Sequence, residues 1–154
     1  MLSMAAPKVT LAVRESSEFY ERFGDVLRVI RALTEDAYAS IDLGSAQAKF
    51  VRYIGINSHI SQAELARATR TAPTLTGRVL ATLVARGWVR RKRSREDRRE
   101  YILELTAAGR RIRAHVEKAR AGVIDQLARV LDDKDARDFE RIAAKILGAF
   151  RSSE

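Results

Sequence analysis

The sequence predicts a mainly α protein with one β-hairpin, and three observations support this fold class. Only two Pro and eight Gly occur in 154 residues, a composition that favours helices. Apolar residues recur at spacings of three and four through most of the chain, as expected for amphipathic helices. Residues 88–105 differ, because a highly charged segment is followed there by residues 101–105, whose side chains alternate between two faces as in a strand.

Composition and charge restrict the classes of function. Lys and Arg outnumber Asp and Glu by 29 to 20, which favours nucleic acid, and next an anionic membrane, over a merely solvated basic surface. The absence of Cys excludes disulfides, thiolate metal sites and cysteine redox sensing. No apolar run approaches the roughly 20 residues needed to span a bilayer, and Lys8 interrupts the apolar start. We therefore expect a cytoplasmic protein without a signal peptide or a membrane partner.

The first helix is predicted to begin at Ser17, which can cap it, and its apolar stripe continues to about Tyr38. Gly44 and Ser45 interrupt the chain before a second, shorter helix. This first helix is long for a chain of this size, so part of its apolar stripe is not expected to find a partner within the monomer.

Two further short helices are predicted next. Ser61 and Glu64 form a capping box at the start of the third helix, which should end near Thr69. Pro73 suits the first turn of the fourth helix, and Gly87 ends it. Two short helices joined by a tight turn are typical of a helix-turn-helix, although other helical hairpins show a similar pattern.

The β-hairpin follows at once, with strands predicted at residues 88–92 and 101–105. Residues 86–100 hold eight Lys or Arg and three acidic residues, and the hairpin tip, roughly Arg93 to Arg99, is almost entirely charged. An apolar base would fix this wing on the core, and the charged tip would meet phosphates and a narrow DNA groove.

Two helices complete the chain, the first capped by Thr106 and the last by Asp132 or Asp133. Together with the first helix, they carry more apolar surface than a single winged helix-turn-helix can cover. We therefore expect the N- and C-terminal helices to pair with a second copy of the chain.

Two segments, SQAELARATRTAPTLTGRVLATLVARGWV (61–89) and SREDRREYILELTAAGR (94–110), resemble the MarR family of transcriptional regulators. The landmarks that fall in the family's order and spacing are Leu80–Leu83, Gly87–Trp88–Val89, Asp97–Arg98–Arg99 and Leu105–Gly109.

The resemblance implies a homodimer that binds double-stranded DNA at a pseudo-palindromic operator, usually as a repressor. It also implies possible release by a small anionic or phenolic effector. The corresponding organisation is a flexible arm at 1–16, a dimerisation helix at 17–44, a winged helix-turn-helix domain at 45–106 and C-terminal dimerisation helices at 107–151.

The fourth helix would then read the major groove. Arg78 can reach a guanine edge, with a phosphate contact or a solvated side chain as alternatives. Thr71, Thr74 and Leu75 can touch phosphate or a thymine methyl group, although Thr71 can equally be only a cap. Gly77 departs from the family, where a larger polar residue is common, and this puts one side-chain contact in doubt.

The third helix and the wing supply further candidates. Ser61 and Gln62 begin a helix whose N–H groups can hold a phosphate, with a plain cap as the alternative for Ser61. By resemblance, Arg99 matches the arginine that enters the minor groove, and Asp97 would stabilise the wing through an Arg. The residues expected to neutralise phosphates, or else to be solvated, are Arg93, Arg95 and Arg98. Of the strand residues 90–92, at least one should point away from DNA.

An effector pocket is implied only by the resemblance, between the dimer helices and the DNA-binding lobe. Its candidate residues, each of a kind that is more often plain core than pocket lining, are Phe23, Leu27, Tyr38, Phe50 and Tyr53. His59 and His115 lack the close spacing of a metal site, so we expect no metal or cofactor, with metal sensing as the alternative.

No Gly-rich phosphate loop and no nucleophile–base set are present in the sequence, so we do not expect an enzyme. A nonspecific architectural DNA-binding protein without a ligand response remains the alternative to a regulator, because Gly77 removes one possible base contact.

Overall fold

The computed structural model describes residues 17–57, 59–94 and 101–150. Within these residues, six helices and three strands follow one another along the chain. They are α1 (Ser17–Ala39), α2 (Ser45–Ile56), β1 (Ile60–Ser61), α3 (Gln62–Thr69), α4 (Pro73–Ala85), β2 (Val89–Arg93), β3 (Tyr101–Leu105), α5 (Ala107–Ala128) and α6 (Asp133–Phe150). The predicted fold class, mainly α with a winged helix-turn-helix, is confirmed.

The predicted caps of α3, α5 and α6 are present, whereas Ser17, predicted to cap the first helix, is itself the first residue of α1. The Ser61 hydroxyl accepts a hydrogen bond from the Glu64 amide at 3.2 Å, and the Glu64 carboxylate accepts one from the Ser61 amide at 2.7 Å. The bond from the Ser61 backbone lowers the pKa of the Glu64 carboxyl group. Thr106 caps α5 through the Gly109 amide at 3.0 Å. Of the two candidates for α6, Asp132 accepts from the first amides of the helix. These side chains satisfy backbone donors that a helix end leaves unpaired.

The sheet differs from the predicted two-strand wing, because β1 adds a third strand. All pairings are antiparallel in the order β1-β3-β2, with Ile60 opposite Leu103 and Val89 opposite Leu105. With only two residues, β1 is too short to show the alternation by which a strand is predicted. This short strand ties the start of α3 to the wing.

The main core lies between α2, α3, α4 and the sheet. Its largest fully buried side chains are Phe50, Leu65, Leu80, Leu83 and Leu103. A second cluster of Tyr38, Leu43, Ala48 and Val116 joins α1, α2 and α5. Partly buried Trp88 and Ile112 touch both clusters. The lobe, by which we mean α2, α3, α4 and the sheet, is therefore packed continuously against the first turns of α5.

Two helices, α1 and α6, which we call the arms, expose most of their apolar surface. In α1 only Tyr38 is buried, and in α6 no residue is. Phe139 is 61% exposed and Phe150 is 76% exposed. A stable amphipathic helix buries its apolar face, and the residues that the structure describes leave these faces of the arms largely uncovered.

Candidate nucleic-acid interface

The exposed face of α4 presents the residues predicted to contact DNA. Thr74, Leu75 and Arg78 are exposed within about one helical turn. The opposite face is buried in the core through Thr76, Val79, Leu80 and Leu83. Leu75 is apolar and yet 45% exposed, so much of this side chain remains accessible on the surface of α4.

The turn before α4 is held by a network of threonines. The Thr69 hydroxyl donates to the Leu65 carbonyl at 2.7 Å and lies 3.0 Å from the Thr71 hydroxyl oxygen. The Thr76 hydroxyl donates to the Ala72 carbonyl at 3.0 Å. Thr71 is therefore half-buried within this turn, which favours its structural role over a direct contact with DNA.

Gln62 connects the helix-turn-helix to the wing. Its side-chain oxygen accepts a hydrogen bond from the Arg91 guanidinium at 3.2 Å. A Cβ atom added to Gly77 would lie 3.5 Å from the Gln62 amide nitrogen, an ordinary van der Waals contact. The Gln62 side chain thus lies beside the bare backbone of α4 at Gly77. Arg91 is not among the predicted site residues, although strand alternation indicates that residues 90–92 face different sides.

The wing strands separate their positive charges onto two faces. Arg90 and Lys92 both reach Glu104 across the sheet, at 2.9 Å and 3.5 Å. The bond from Arg90 lowers the pKa of the Glu104 carboxyl group. Arg93 lies over the Tyr101 ring, with 5.1 Å from its guanidinium carbon to the ring centre. The face opposite Glu104 therefore presents Arg91 and Arg93, both exposed.

Four predicted wing residues, Arg95, Asp97, Arg98 and Arg99, lie outside the described residues. Their roles in the minor groove, at phosphates and in holding the wing stay predictions. The strands on either side of them are paired out to Arg93 and Tyr101, so this segment joins the ends of a formed hairpin.

The five predicted pocket residues lie in different places among the described residues. Phe23 and Leu27 lie together in an open groove of about 610 Å³ on α1. Tyr38 and Phe50 are buried in the two separate core clusters. Tyr53 lines a different surface depression beside His59 and Glu64.

A metal site requires several His, Cys, Asp or Glu side chains close together. A membrane span requires a long apolar helix. Among the residues described, no group of three or more His, Cys, Asp or Glu side chains is placed to hold a metal ion. Of the helices described, none is both long and apolar enough to cross a bilayer.

A protein-family model matches the middle of the chain. The model of the MarR family matches residues 41–100, which run from just after α1 to the residue before β3. No curated protein sequence matches the chain significantly.

Solved structures share the fold over most of the chain. A mutant of Escherichia coli MarR complexed with operator DNA is 23% identical, with a TM-score of 0.73 over 86% of this chain and 99% of that one. A MepR–DNA complex from Staphylococcus aureus is 14% identical, with a TM-score of 0.74 over 88% and 98%. A MarR transcriptional regulator from Methanosarcina mazei is 21% identical, with a TM-score of 0.71 over 87% and 96%.

Proposed function

We propose that this chain, which belongs to the MarR family over residues 41–100, is a sequence-specific DNA-binding transcriptional regulator. It acts in the cytoplasm as a homodimer on a pseudo-palindromic operator, as a repressor that blocks transcription while bound. The main support is the exposed face of α4 beside a basic wing, on a fold shared with MarR and MepR structures that contain DNA.

Recognition would begin with α4 in the major groove, which is wide enough to admit a helix. Arg78 reads a guanine edge with two hydrogen bonds, and Thr74 contacts phosphate. Leu75 packs against a thymine methyl group, which accounts for an apolar side chain on an exposed face. Of these three, only Arg78 makes a contact that distinguishes guanine strongly from the other bases.

The wing would add affinity and register. Arg93, Arg95 and Arg98 neutralise phosphates, and Arg99 enters the neighbouring minor groove with Asp97 bracing the tip. A narrow minor groove concentrates negative potential and so favours an inserted arginine. The Gln62–Arg91 bond supports this arrangement, because it fixes the wing relative to the start of α3. Ser61 and Gln62 place the first amides of α3 near a phosphate.

The homodimer rests on the exposed apolar faces of the arms. On α6, the apolar residues Phe139, Ile142, Ile146 and Phe150 are all exposed within the protomer. On α1, Val26 and Leu27 are more than half exposed. Pairing of identical arms about a two-fold axis buries both surfaces, and it sets the two α4 helices about one DNA turn apart, roughly 34–36 Å.

A small phenolic or anionic effector would act through the same arms. The groove at Phe23 and Leu27 would be closed by the partner chain, which places a ligand between the arms and the lobe. A ligand that binds best to a dimer with a different α4 spacing shifts the population away from the operator-binding form. No catalytic activity or cofactor is part of this proposal.

A nonspecific architectural DNA-binding protein is the second candidate, and Gly77 is the observation that favours it. This glycine leaves part of α4 without a side chain beside Gln62. Such a protein would bind through phosphates alone, with strong salt dependence and little sequence preference.

Binding to duplex DNA from upstream of the gene, compared with a scrambled duplex, tests the proposal. Fluorescence anisotropy would be measured at several salt concentrations for the wild type, Arg78→Ala and Arg99→Ala. Arg137→Ala, on the polar side of α6, removes the same charge away from the interface and serves as the control.

We expect the native duplex to bind at least about a hundredfold tighter than the scrambled one. Arg78→Ala should remove about 1–3 kcal/mol of this discrimination, and the control should remove none. Equal affinity for both duplexes with a steep salt slope would favour the architectural candidate. No binding to either duplex at low salt would refute the nucleic-acid proposal.

A further inference from the structure

The turn between α3 and α4 contains a second basic feature that the sequence motifs do not indicate. We propose that Arg70, with Lys49 beside it, binds a DNA phosphate at the edge of the major groove. This inference rests on the proposed DNA-binding function and extends it to residues outside the wing and α4.

The first observation is the backbone of Arg70, which has φ 50° and ψ 46°. This left-handed conformation brings Cβ close to the backbone and is favoured by glycine at the end of a helix. The end of α4 follows that rule, because Gly87 occupies the left-handed region there with φ 69°. At the end of α3 the residue with this backbone is an arginine, although the left-handed conformation favours glycine.

The backbone at this turn does not need the arginine side chain. The Arg70 amide donates to the Arg67 carbonyl at 3.1 Å, and the Thr71 amide donates to the Ala66 carbonyl at 3.0 Å. Both bonds close the end of α3 through main-chain atoms, which glycine would provide equally. A strained residue whose side chain is not needed for the local fold points to a functional role.

The second observation is the charge around the turn. The Lys49 ammonium, on α2, donates to the Thr69 carbonyl at 2.5 Å, next to the peptide of Arg70. Arg70 and Lys49 are both exposed. Neither takes part in an ion pair among the residues that the structure describes. The end of α3 thus carries two cations, Arg70 itself and the Lys49 ammonium that α2 brings to the neighbouring carbonyl.

The position of the turn identifies the anion. It precedes Thr74 and Leu75, on the exposed face of α4, by only a few residues. When the start of α4 enters the major groove, this turn lies at the groove edge, where the phosphodiester backbone passes. An exposed guanidinium and an exposed ammonium can both donate hydrogen bonds to the negatively charged oxygens of a phosphodiester.

The decisive variant is Arg70→Gly, because stability and binding should change in different directions. Glycine relieves the backbone strain, so Tm should stay constant or rise by up to about 4 °C. Affinity should fall by about three- to tenfold for native and scrambled duplexes alike, because phosphate contacts carry no sequence information. The slope of log K against log salt should decrease by about 0.9 for each phosphate that the variant no longer neutralises.

Three further variants sharpen this test. Arg70→Lys keeps the charge and should retain most of the affinity. Arg70→Asn removes the charge but tolerates the left-handed backbone, so it should weaken binding as much as Arg70→Gly does. Lys49→Met keeps the apolar stem and removes the ammonium, and it should lower the salt slope further when combined with Arg70→Gly.

An unchanged affinity and salt slope for Arg70→Gly, with the wild type still binding DNA, would overturn the inference and leave the regulator proposal intact. A Tm decrease for both Arg70→Gly and Arg70→Asn would also overturn it, because the side chain would then be structural. If the wild type itself binds no duplex, the proposed function fails first and the inference fails with it.

Discussion

The winged lobe and the arms follow the same rules of helical periodicity but differ in what covers their apolar faces. In the lobe, Phe50, Leu80 and Leu83 are fully buried among α2, α4 and the sheet. In the arms, α6 has an equally regular apolar stripe and buries none of it. Periodicity therefore identifies an apolar face, whereas the identity of its partner depends on the tertiary and quaternary arrangement.

This difference suggests a division of labour. A lobe with its own core can present α4 and the wing as a rigid reading surface. In the proposed dimer, a second copy would cover the arms, and the arms would determine how far apart two such surfaces stand. If this division holds, substitutions should disturb the two regions separately.

The largest effect is expected from two acidic substitutions in the arm, Phe139→Asp combined with Ile146→Asp. Each places a carboxylate in the surface that the partner would cover, which carries a large desolvation cost. Self-association should weaken at least about a thousandfold, equivalent to about 4 kcal/mol, as measured by sedimentation equilibrium. Arg137→Asp introduces the same group on the polar side of α6 and should leave the dimer intact. An unchanged mass for the double variant would exclude α6 as the dimer surface.

In the lobe, Leu83→Ala should destabilise folding by about 2–5 kcal/mol, because it leaves a cavity in a fully buried site. Denaturant unfolding measures this free energy. Leu75→Ala, on the exposed face of the same helix, should change stability by no more than about 0.5 kcal/mol. Similar losses of stability from both variants would contradict the assignment of buried and exposed faces on α4.

The capping box of α3 provides an intermediate effect. Ser61→Ala removes the hydroxyl that accepts from the Glu64 amide and should cost about 1 kcal/mol of stability, measured from the thermal unfolding midpoint. Ser61→Asp, which can still cap, should retain most of that stability. A larger effect on DNA affinity than on stability in Ser61→Ala would indicate that Ser61 also contacts phosphate.

The smallest effect concerns Glu104 and is pH-dependent. Arg90 lowers the pKa of this carboxyl group in the folded protein. The ionised Glu104 side chain therefore stabilises the fold at pH values above its unfolded pKa of about 4.5, and this contribution is lost as pH falls through its folded pKa. The stability difference between wild type and Glu104→Gln should be at most about 1 kcal/mol near pH 7 and should shrink below about pH 4.5. A difference that grows with acidification would reverse the assigned sign.

Much of the fold can be predicted from local chemistry. Ser61, Thr106 and Asp132 cap helices as their residue types indicate, and the alternation of residues 101–105 marks β3. The strand β1 cannot be predicted in this way, because two residues are too few to show a periodicity. It also pairs with β3, which lies more than 40 residues further along the chain.

The candidate site can be predicted less completely, because it depends on contacts between elements. The bond between Gln62 and Arg91 joins α3 to β2, and no spacing along the chain indicates it. The left-handed backbone of Arg70 likewise cannot be predicted from the sequence, because the residue at this position is not glycine. The five predicted pocket residues share aromatic or aliphatic character, but their chemistry alone does not specify the distances between helices.

Selection of binding sites from random duplexes, followed by sedimentation of the selected complex, tests the central claim most directly. That claim is that paired arms set the spacing at which two lobes read DNA. It predicts enrichment of an inverted repeat whose half-site centres lie about one helical turn apart, bound by two chains. Enrichment of a single half-site by one chain, or no enrichment at all, would contradict it.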